Sequence, residues 1–341
     1  MKGSHQMPNY QAFQLAATDN ATTATWITQA QPEPQPGWAL VQVAYSDMNY
    51  KDALTTDPKS GVIHHYPQTP GIDAAGTILA CPSGNFEPGT AVVLTGFDVG
   101  VKQAGGYAEC LLVPEAWLQR LPTGLTLREA MIFGTAGFTA ALSVQALLQN
   151  PLLQDKAQPI LISGGTGGVG GFAIAILKKL GYQQLIASTR HPERAHDYLK
   201  ALGATAVISL ADLTTPPLKP LMKQQFSGYV DALGGSTLSA VLPQMNYGGV
   251  VALSGNAAGI KLSTTTLPFI LRGIQLVGID SVYYPAQRRT AIWQHLATDW
   301  RPAQLEQFVH STITPQQLAT TLADYLHQPK TGRILVDLQQ A

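Results

Sequence analysis

Cysteine is scarce: Cys81 and Cys110 are the only two in 341 residues. Two thiols cannot build a disulfide framework, and no cluster of histidines lies near either one to suggest a zinc site. Charge is also sparse, at 12%, with 21 Lys+Arg balancing 21 Asp+Glu. A neutral chain has no long-range attraction for nucleic acid or acidic membranes, so an anionic ligand must be held by a local site. No apolar run is expected to reach the roughly 18 residues that span a bilayer, and the start carries no charged-then-apolar signal pattern. The opening Met1–Gln6 reads as a cloning remnant outside the fold. Cytoplasm is the expected compartment, with neither nucleic acid nor membrane as partner.

What is present is a 45% apolar composition, the balance of a well-packed protein, in a chain long enough for two domains. Up to about Pro122 the texture is β-rich, with runs such as Ala39–Ala44, Ala74–Leu79 and Thr90–Leu94 separated by Pro36-Gly37, Pro70-Gly71 and Pro88-Gly89. This predicts an irregular, barrel-like all-β domain. From about Leu125 strands and helices alternate. Strands are expected at 160–163, 184–187, 206–209, 228–231, 250–253 and 274–279, and helices at 128–149, 169–180 and 193–202. Alternation of this kind builds βαβ units and a parallel sheet. Helices near 288–298 and 315–327 and a strand at 333–337 follow, and this last segment can return to complete the first domain. The fold class expected is α/β, with domain limits at 7–125 plus 282–341 and at 126–281.

The stretch Ile160-Leu-Ile-Ser-Gly-Gly-Thr-Gly-Gly-Val-Gly-Gly171 sets a G-x-G-x-x-G pattern between a buried strand and an apolar helix. Gly165 is assigned the tight turn, Gly167 the approach of backbone to a pyrophosphate, and Gly170 the close helix–strand packing. Thr166, Gly168 and Val169 complete the phosphate-binding turn, whose helix end offers free N–H groups and a positive dipole. The following strand ends Leu185-Ile-Ala-Ser-Thr-Arg190. Where an NAD site usually places a carboxylate, this chain has Ser188, followed by Thr189 and Arg190. Hydroxyls and a guanidinium suit a 2′-phosphate that a carboxylate would repel. NADPH is therefore the expected cofactor.

Together with Tyr45–Leu54, Pro70-Gly-Ile-Asp-Ala-Ala-Gly-Thr77, Ile132–Ala140, Met245-Asn-Tyr-Gly-Gly249, Leu267–Arg272 and Gly332-Arg-Ile-Leu-Val336, these residues resemble the medium-chain dehydrogenase/reductase superfamily. Within it they are similar to the YhdH/YhfP-type quinone oxidoreductase branch, which includes the NADPH-dependent acrylyl-CoA reductases. The resemblance runs from about Tyr10 to Leu338. It implies a discontinuous GroES-like β-barrel catalytic domain, an inserted Rossmann cofactor domain, a cofactor cleft between them and a homodimer. It also implies zinc-independent chemistry, because Pro70-Gly-Ile-Asp73 stands where zinc-dependent relatives carry Gly-His-Glu and the four-cysteine lobe is missing. His64 and His65 are read as loop residues, and no metal is expected.

Reduction of an α,β-unsaturated carbonyl needs the alkene positioned, charge on the oxygen stabilised and a proton delivered. The resemblance points to Asn49, Tyr50 and Asp52 as the catalytic candidates. Tyr50 is expected as proton donor and cofactor contact, Asn49 to orient the carbonyl or ribose, and Asp52 to fix the local geometry. Asp73 is read as a structural acceptor, and Thr135, Asn256, Ser281 and Arg333 as further cofactor contacts. Lys51, Lys59, Arg288 and Arg289 are candidates for the phosphates of a CoA substrate. The expected substrate is an enoyl-CoA, with acrylyl-CoA first; the alternatives are a quinone or enone substrate, and a non-catalytic NADPH-binding protein of structural or regulatory role.

Overall fold

A computed structural model describes residues 8–18, 21–215, 219–327 and 330–340. The chain divides into two units. The first holds residues 1–135, 282–294 and 309–341, and the second holds 136–281 and 295–308.

The first unit begins with an antiparallel hairpin, β1 (Asn9–Ala17) and β2 (Thr22–Ala30). It continues with β3 (Trp38–Met48), β4 (Asp73–Ala80), β5 (Ala91–Thr95), β6 (Cys110–Pro114) and β7 (Gln119–Arg120). The second unit contributes β8 (Pro159–Ser163), β9 (Gln184–Thr189), β10 (Ala206–Ser209), β11 (Phe226–Asp231), β12 (Met245–Leu253) and β13 (Gln275–Gly278). The chain then returns to the first unit for β14 (Val309–Ile313) and β15 (Arg333–Asp337).

In the first unit the main sheet runs β14-β15-β3-β4-β5-β7, with β6 also on β3. Its core joins Phe13 from the hairpin, Val41, Val43 and Met48 of β3, Ile78, Leu94 and Tyr107 to Ile334 and Val336 of β15. Residues from both ends of the chain thus share one core, and full burial of each aliphatic side chain contributes about 1.5–3 kcal/mol. The register sets Ile334 opposite Met48 and Asp337 opposite Tyr45, which carries Arg333 to the end of β3 where Asp47 and Asn49 lie.

The second unit has a wholly parallel sheet in the order β10-β9-β8-β11-β12-β13. Its central strand β11 is buried at every position, as a strand covered on both faces must be. The order reverses between β8 and β11, the place where doubly wound folds bind dinucleotides. Local signals explain the helix Pro192–Leu202: proline in its first turn, Glu193 beside the N-terminus and Gly203 (φ 113°) closing the C-terminus.

Several limits move relative to the sequence reading. The unit boundary falls after Thr135, and the segment 295–308 joins the second unit, where Phe308 stacks on Phe172 at 4.1 Å. The expected helix at 128–149 is Leu127–Leu148, broken at Gly134 (φ 50°, ψ −157°). Contrary to the expectation that no apolar run reaches that length, this helix is long and apolar enough to cross a bilayer by length and composition. However, 78% of its most apolar window is buried inside the protein, which makes it a core helix. Cys81 and Cys110 are free thiols.

Candidate active site

In the first unit, a buried polar cluster forms where β3, β4 and β15 meet the start of the 127–148 helix. Asp47, Asp52 and Asp73 are fully buried, and Arg333 is 3% exposed. Arg333 Nη2 lies 2.5 Å from Asp47 Oδ2 and 3.2 Å from Asn49 Oδ1, while its Nε donates to the carbonyl of Ile132. Asn49 Nδ2 donates to Asp47 Oδ1 (2.6 Å) and Asp73 Oδ2 (2.9 Å). Thr135 donates both its N–H and its hydroxyl to Asp73. Asp52 accepts from the N–H of Asn49 and the N–H of Ile72, both at 2.9 Å. Each carboxylate is therefore met by donors, as buried charges must be.

Gly134 makes this arrangement sterically feasible. A Cβ there would strike Asp47 Oδ2 and sit 2.8 Å from Asp73 Oδ2 and 2.9 Å from Arg333 Nη2. Its positive φ is a second reason that glycine occupies the position.

Of the catalytic candidates, Asn49 and Asp52 face inward and hold the cluster, whereas Tyr50, which opens the short helix Tyr50–Leu54, is 49% exposed. Three further candidates lie within hydrogen-bond networks of the first unit. Arg333, read as a cofactor contact, spends its guanidinium inside the first unit on Asp47, Asn49 and Ile132. The Thr135 hydroxyl is likewise committed to Asp73. Arg289, suggested for CoA phosphates, is 1% exposed and donates to the carbonyls of Thr95, Val282 and Tyr284; Arg288 and Lys59 are exposed and Lys51 is half-buried. Asp73 is the acceptor that its apolar surroundings suggested. Asp47 has little signature in the sequence, because its ionic partner stands 286 residues away; the only local sign is an acid near the end of an apolar strand.

Burial and the neighbouring Asp73 push Asp52 from 3.8 to about 7, against the pull of the N–H groups of Asn49 and Ile72. The folded state therefore holds a proton there more tightly than the unfolded chain. Its contribution to stability is full below ~pH 4 and is lost as the pH rises to ~7. Thermal melts between ~pH 5 and ~pH 8 should show Tm falling in the wild type and a flatter profile in Asp52→Asn; identical slopes contradict the assignment.

In the second unit the glycine turn leaves β8 and enters the helix Gly168–Lys179. The left-handed residue is Gly164 (φ 63°), one position before the Gly165 assigned that role. At Gly165 a Cβ would lie 2.9 Å from Leu199 Cδ2, the movable tip of a side chain, and 3.2 Å from Ile174 Cδ1, so the position is tight but adjustable. At Gly170 a Cβ would lie 2.5 Å from the Gly164 carbonyl and 2.8 Å from Gly165 Cα, so the helix can sit on the turn only with glycine there. Gly167 is the N-cap, no side chain caps the helix and no acid occupies its first turn. Thr166, Gly168 and Val169 are half-buried around it. An uncapped twelve-residue helix with clear backbone in front is suited to a phosphate.

At the end of β9, Arg190 is exposed and the Thr189 hydroxyl accepts from the N–H of His191. Ser188 is fully buried, and its hydroxyl has no partner among the described residues. An unpaired buried hydroxyl costs about 1–3 kcal/mol, so this strand end is polar and incomplete. The turn, the uncapped helix and the orphan hydroxyl together fit a phosphate-bearing dinucleotide. Farther along the same edge, an open groove of about 500 Å³ is lined by Ser254, Asn256, Ile279 and Asp280. Ser281 is not among its lining residues: it is 8% exposed and accepts from the Thr139 hydroxyl.

Comparison with known proteins bears on both units. Residues 35–123 match the model of the alcohol dehydrogenase GroES-like domain, and residues 168–297 match that of the zinc-binding dehydrogenase. The acrylyl-CoA reductase AcuI of Ruegeria pomeroyi is 43% identical over 302 residues, covering 89% of this chain and 90% of that protein. The chain belongs to the medium-chain dehydrogenase/reductase superfamily. Solved structures of this superfamily superpose closely on it. Bacillus subtilis YhfP with NAD bound gives a TM-score of 0.92 at 42% identity, covering 97% of this chain and all of that one. Escherichia coli YhdH with bound NADPH gives 0.90 at 40% identity, covering 96% and 99%. As a superfamily member the protein is an oxidoreductase. Zinc, for which one matching model is named, does not fit the donors of this member. Among the described residues no three His, Cys, Asp or Glu side chains are placed to hold a metal, and Arg333, Asn49 and Thr135 already engage Asp47 and Asp73.

Proposed function

We propose that the protein is an NADPH-dependent reductase of activated alkenes, with an α,β-unsaturated CoA thioester such as acrylyl-CoA as substrate. The observation that carries this reading is the uncapped helix behind a glycine turn, set at the strand reversal and flanked by Arg190 instead of a carboxylate. The identity to an acrylyl-CoA reductase supports the substrate class, and YhdH with NADPH supports the cofactor. In this reading Gly165–Gly170 and the helix N-terminus hold the pyrophosphate and Arg190 meets the 2′-phosphate, with the buried hydroxyl of Ser188 in place of a carboxylate at the same strand end. Asn256 lines the groove for the remainder of the dinucleotide.

Bound there, NADPH supplies the hydride that adds to the β-carbon. The chain's own task is to hold the substrate carbonyl while charge develops on its oxygen and to bring a proton to the α-carbon. Tyr50 is the donor in this proposal: it is an exposed phenol, and the rigid Asp47–Asn49–Asp52 segment fixes the backbone on both sides of it.

Assaying acrylyl-CoA, longer enoyl-CoA esters, simple enones and quinones with both nicotinamides tests the reading. The largest kcat/KM is expected for acrylyl-CoA with NADPH, and a quinone preference overturns the thioester assignment. Tyr50→Phe should lower turnover by roughly a hundredfold while NADPH affinity stays within about twofold. Should affinity collapse while turnover of the bound complex persists, Tyr50 is a ligand and not a donor.

The homodimer belongs to the same proposal. Among the described residues β13 is an edge strand of its sheet, and Ile260, Leu262, Ile270 and Leu271 are exposed near it in sequence. A sheet edge beside an exposed apolar patch suits a second copy, and sedimentation equilibrium decides the state.

A further inference from the structure

Asp231 ends β11, the strand facing β8 across the reversal of strand order, and it is fully buried. Its carboxylate touches neither solvent nor any cation among its hydrogen-bond partners. Oδ1 accepts from the Ser163 hydroxyl (2.9 Å), the Tyr229 hydroxyl (2.9 Å) and the N–H of Leu233 (2.9 Å). The N–H of Gly234 is shared between both oxygens at 3.1 Å. Ser163, the residue immediately before the glycine turn, accepts in turn from the N–H of Ala232 (3.2 Å). The loop after β11 is thereby turned inward on one acceptor, and its outward carbonyl at Leu233 receives the N–H of Ala258 at 2.7 Å. The two loops approach so closely that a Cβ on Gly234 would lie 2.6 Å from the Gly255 carbonyl.

We propose that Asp231 is a positioning residue for the dinucleotide, locking the glycine turn after β8 to the 232–235 loop and, through it, to the 254–259 loop that carries Asn256. The proposal rests on the dinucleotide reading of this sheet edge. Asp231 cannot itself touch a ligand, so its effect is preorganisation. Without the carboxylate, two inward N–H groups and two hydroxyls lose their acceptor, the loops relax, and binding must reorder them. That cost falls on the parts common to NADPH and NADH.

The test titrates both coenzymes into the full-length wild type and the variants Asp231→Ala, Asp231→Asn and Ser163→Ala, alongside kcat at saturation and circular dichroism. Asp231→Ala should raise Kd roughly tenfold or more for NADPH and NADH alike, with kcat of the saturated complex within about twofold of wild type. Asp231→Asn, which keeps one oxygen acceptor, and Ser163→Ala should shift Kd in the same direction by less. A folded Asp231→Ala with wild-type Kd overturns the proposal. So does a merely structural pattern, in which melting temperature falls but the folded fraction binds normally. If Asp231→Ala does not fold, Ser163→Ala and Asp231→Asn decide by the same criterion. A wild type that binds neither coenzyme instead removes the dinucleotide reading on which this stands.

Discussion

Replacing Arg333 with methionine is expected to cost about 3–5 kcal/mol of folding stability, a large share of the ~5–15 kcal/mol that ordinarily holds a domain folded. The cause is not a lost attraction alone. The guanidinium is the only cation that contacts the buried cluster among the described residues, and methionine leaves Asp47 charged or forces a proton onto it in a site that excludes water. Burial pushes the Asp47 carboxyl up while Arg333 pulls it down, so removing Arg333 favours the neutral acid. The damage should reach the site, because Asn49 would lose the cation at its carbonyl oxygen and Tyr50 follows directly in the chain. Pairing the change with Asp47→Asn separates charge from packing. The double variant should recover part of the loss in urea denaturation, since deleting both partners costs less than stranding one. If single and double variants are equally unstable, the ion pair is not what Arg333 provides.

Arg190→Ala should raise KM for NADPH by roughly 10- to 100-fold and leave KM for NADH within about twofold. A phosphate held by a planar fork of N–H donors loses both direction and charge when the fork is removed, whereas NADH has no group there to lose. Raising the salt concentration should narrow the gap, because Arg190 is exposed and screened by ions. Equal effects on both coenzymes would show that Arg190 only caps its loop.

These two arginines mark what could be read from the sequence and what could not. The cofactor half is local: strand, turn and helix occupy 159–179 in one run, and glycine spacing, apolar burial and the next strand's tip all lie within about thirty residues. β10 and β15 were legible to the residue, because a short apolar run bounded by polar residues leaves little choice. The hairpin of β1 and β2 was not. In β2 no residue is fully buried and threonines crowd both faces, so the alternation that betrays a half-buried strand is missing. The polar cluster was legible only in pieces. Asp52, Asp73 and Arg333 each stood out, but nothing local showed that β15 returns Arg333 to the end of β3 beside Asp47. Gly134 passed as part of a motif; its necessity depends on two aspartates and an arginine distant in the chain.

A cradle made of main chain has an evolutionary consequence. It offers no side chain for mutation to delete, so it can be spoiled only by adding bulk, as at Gly170, and drift among neighbouring residues leaves its grip untouched. Selection for a different electron donor can then act on the tip of β9 alone, exchanging one or two exposed residues while inheriting the anchor intact.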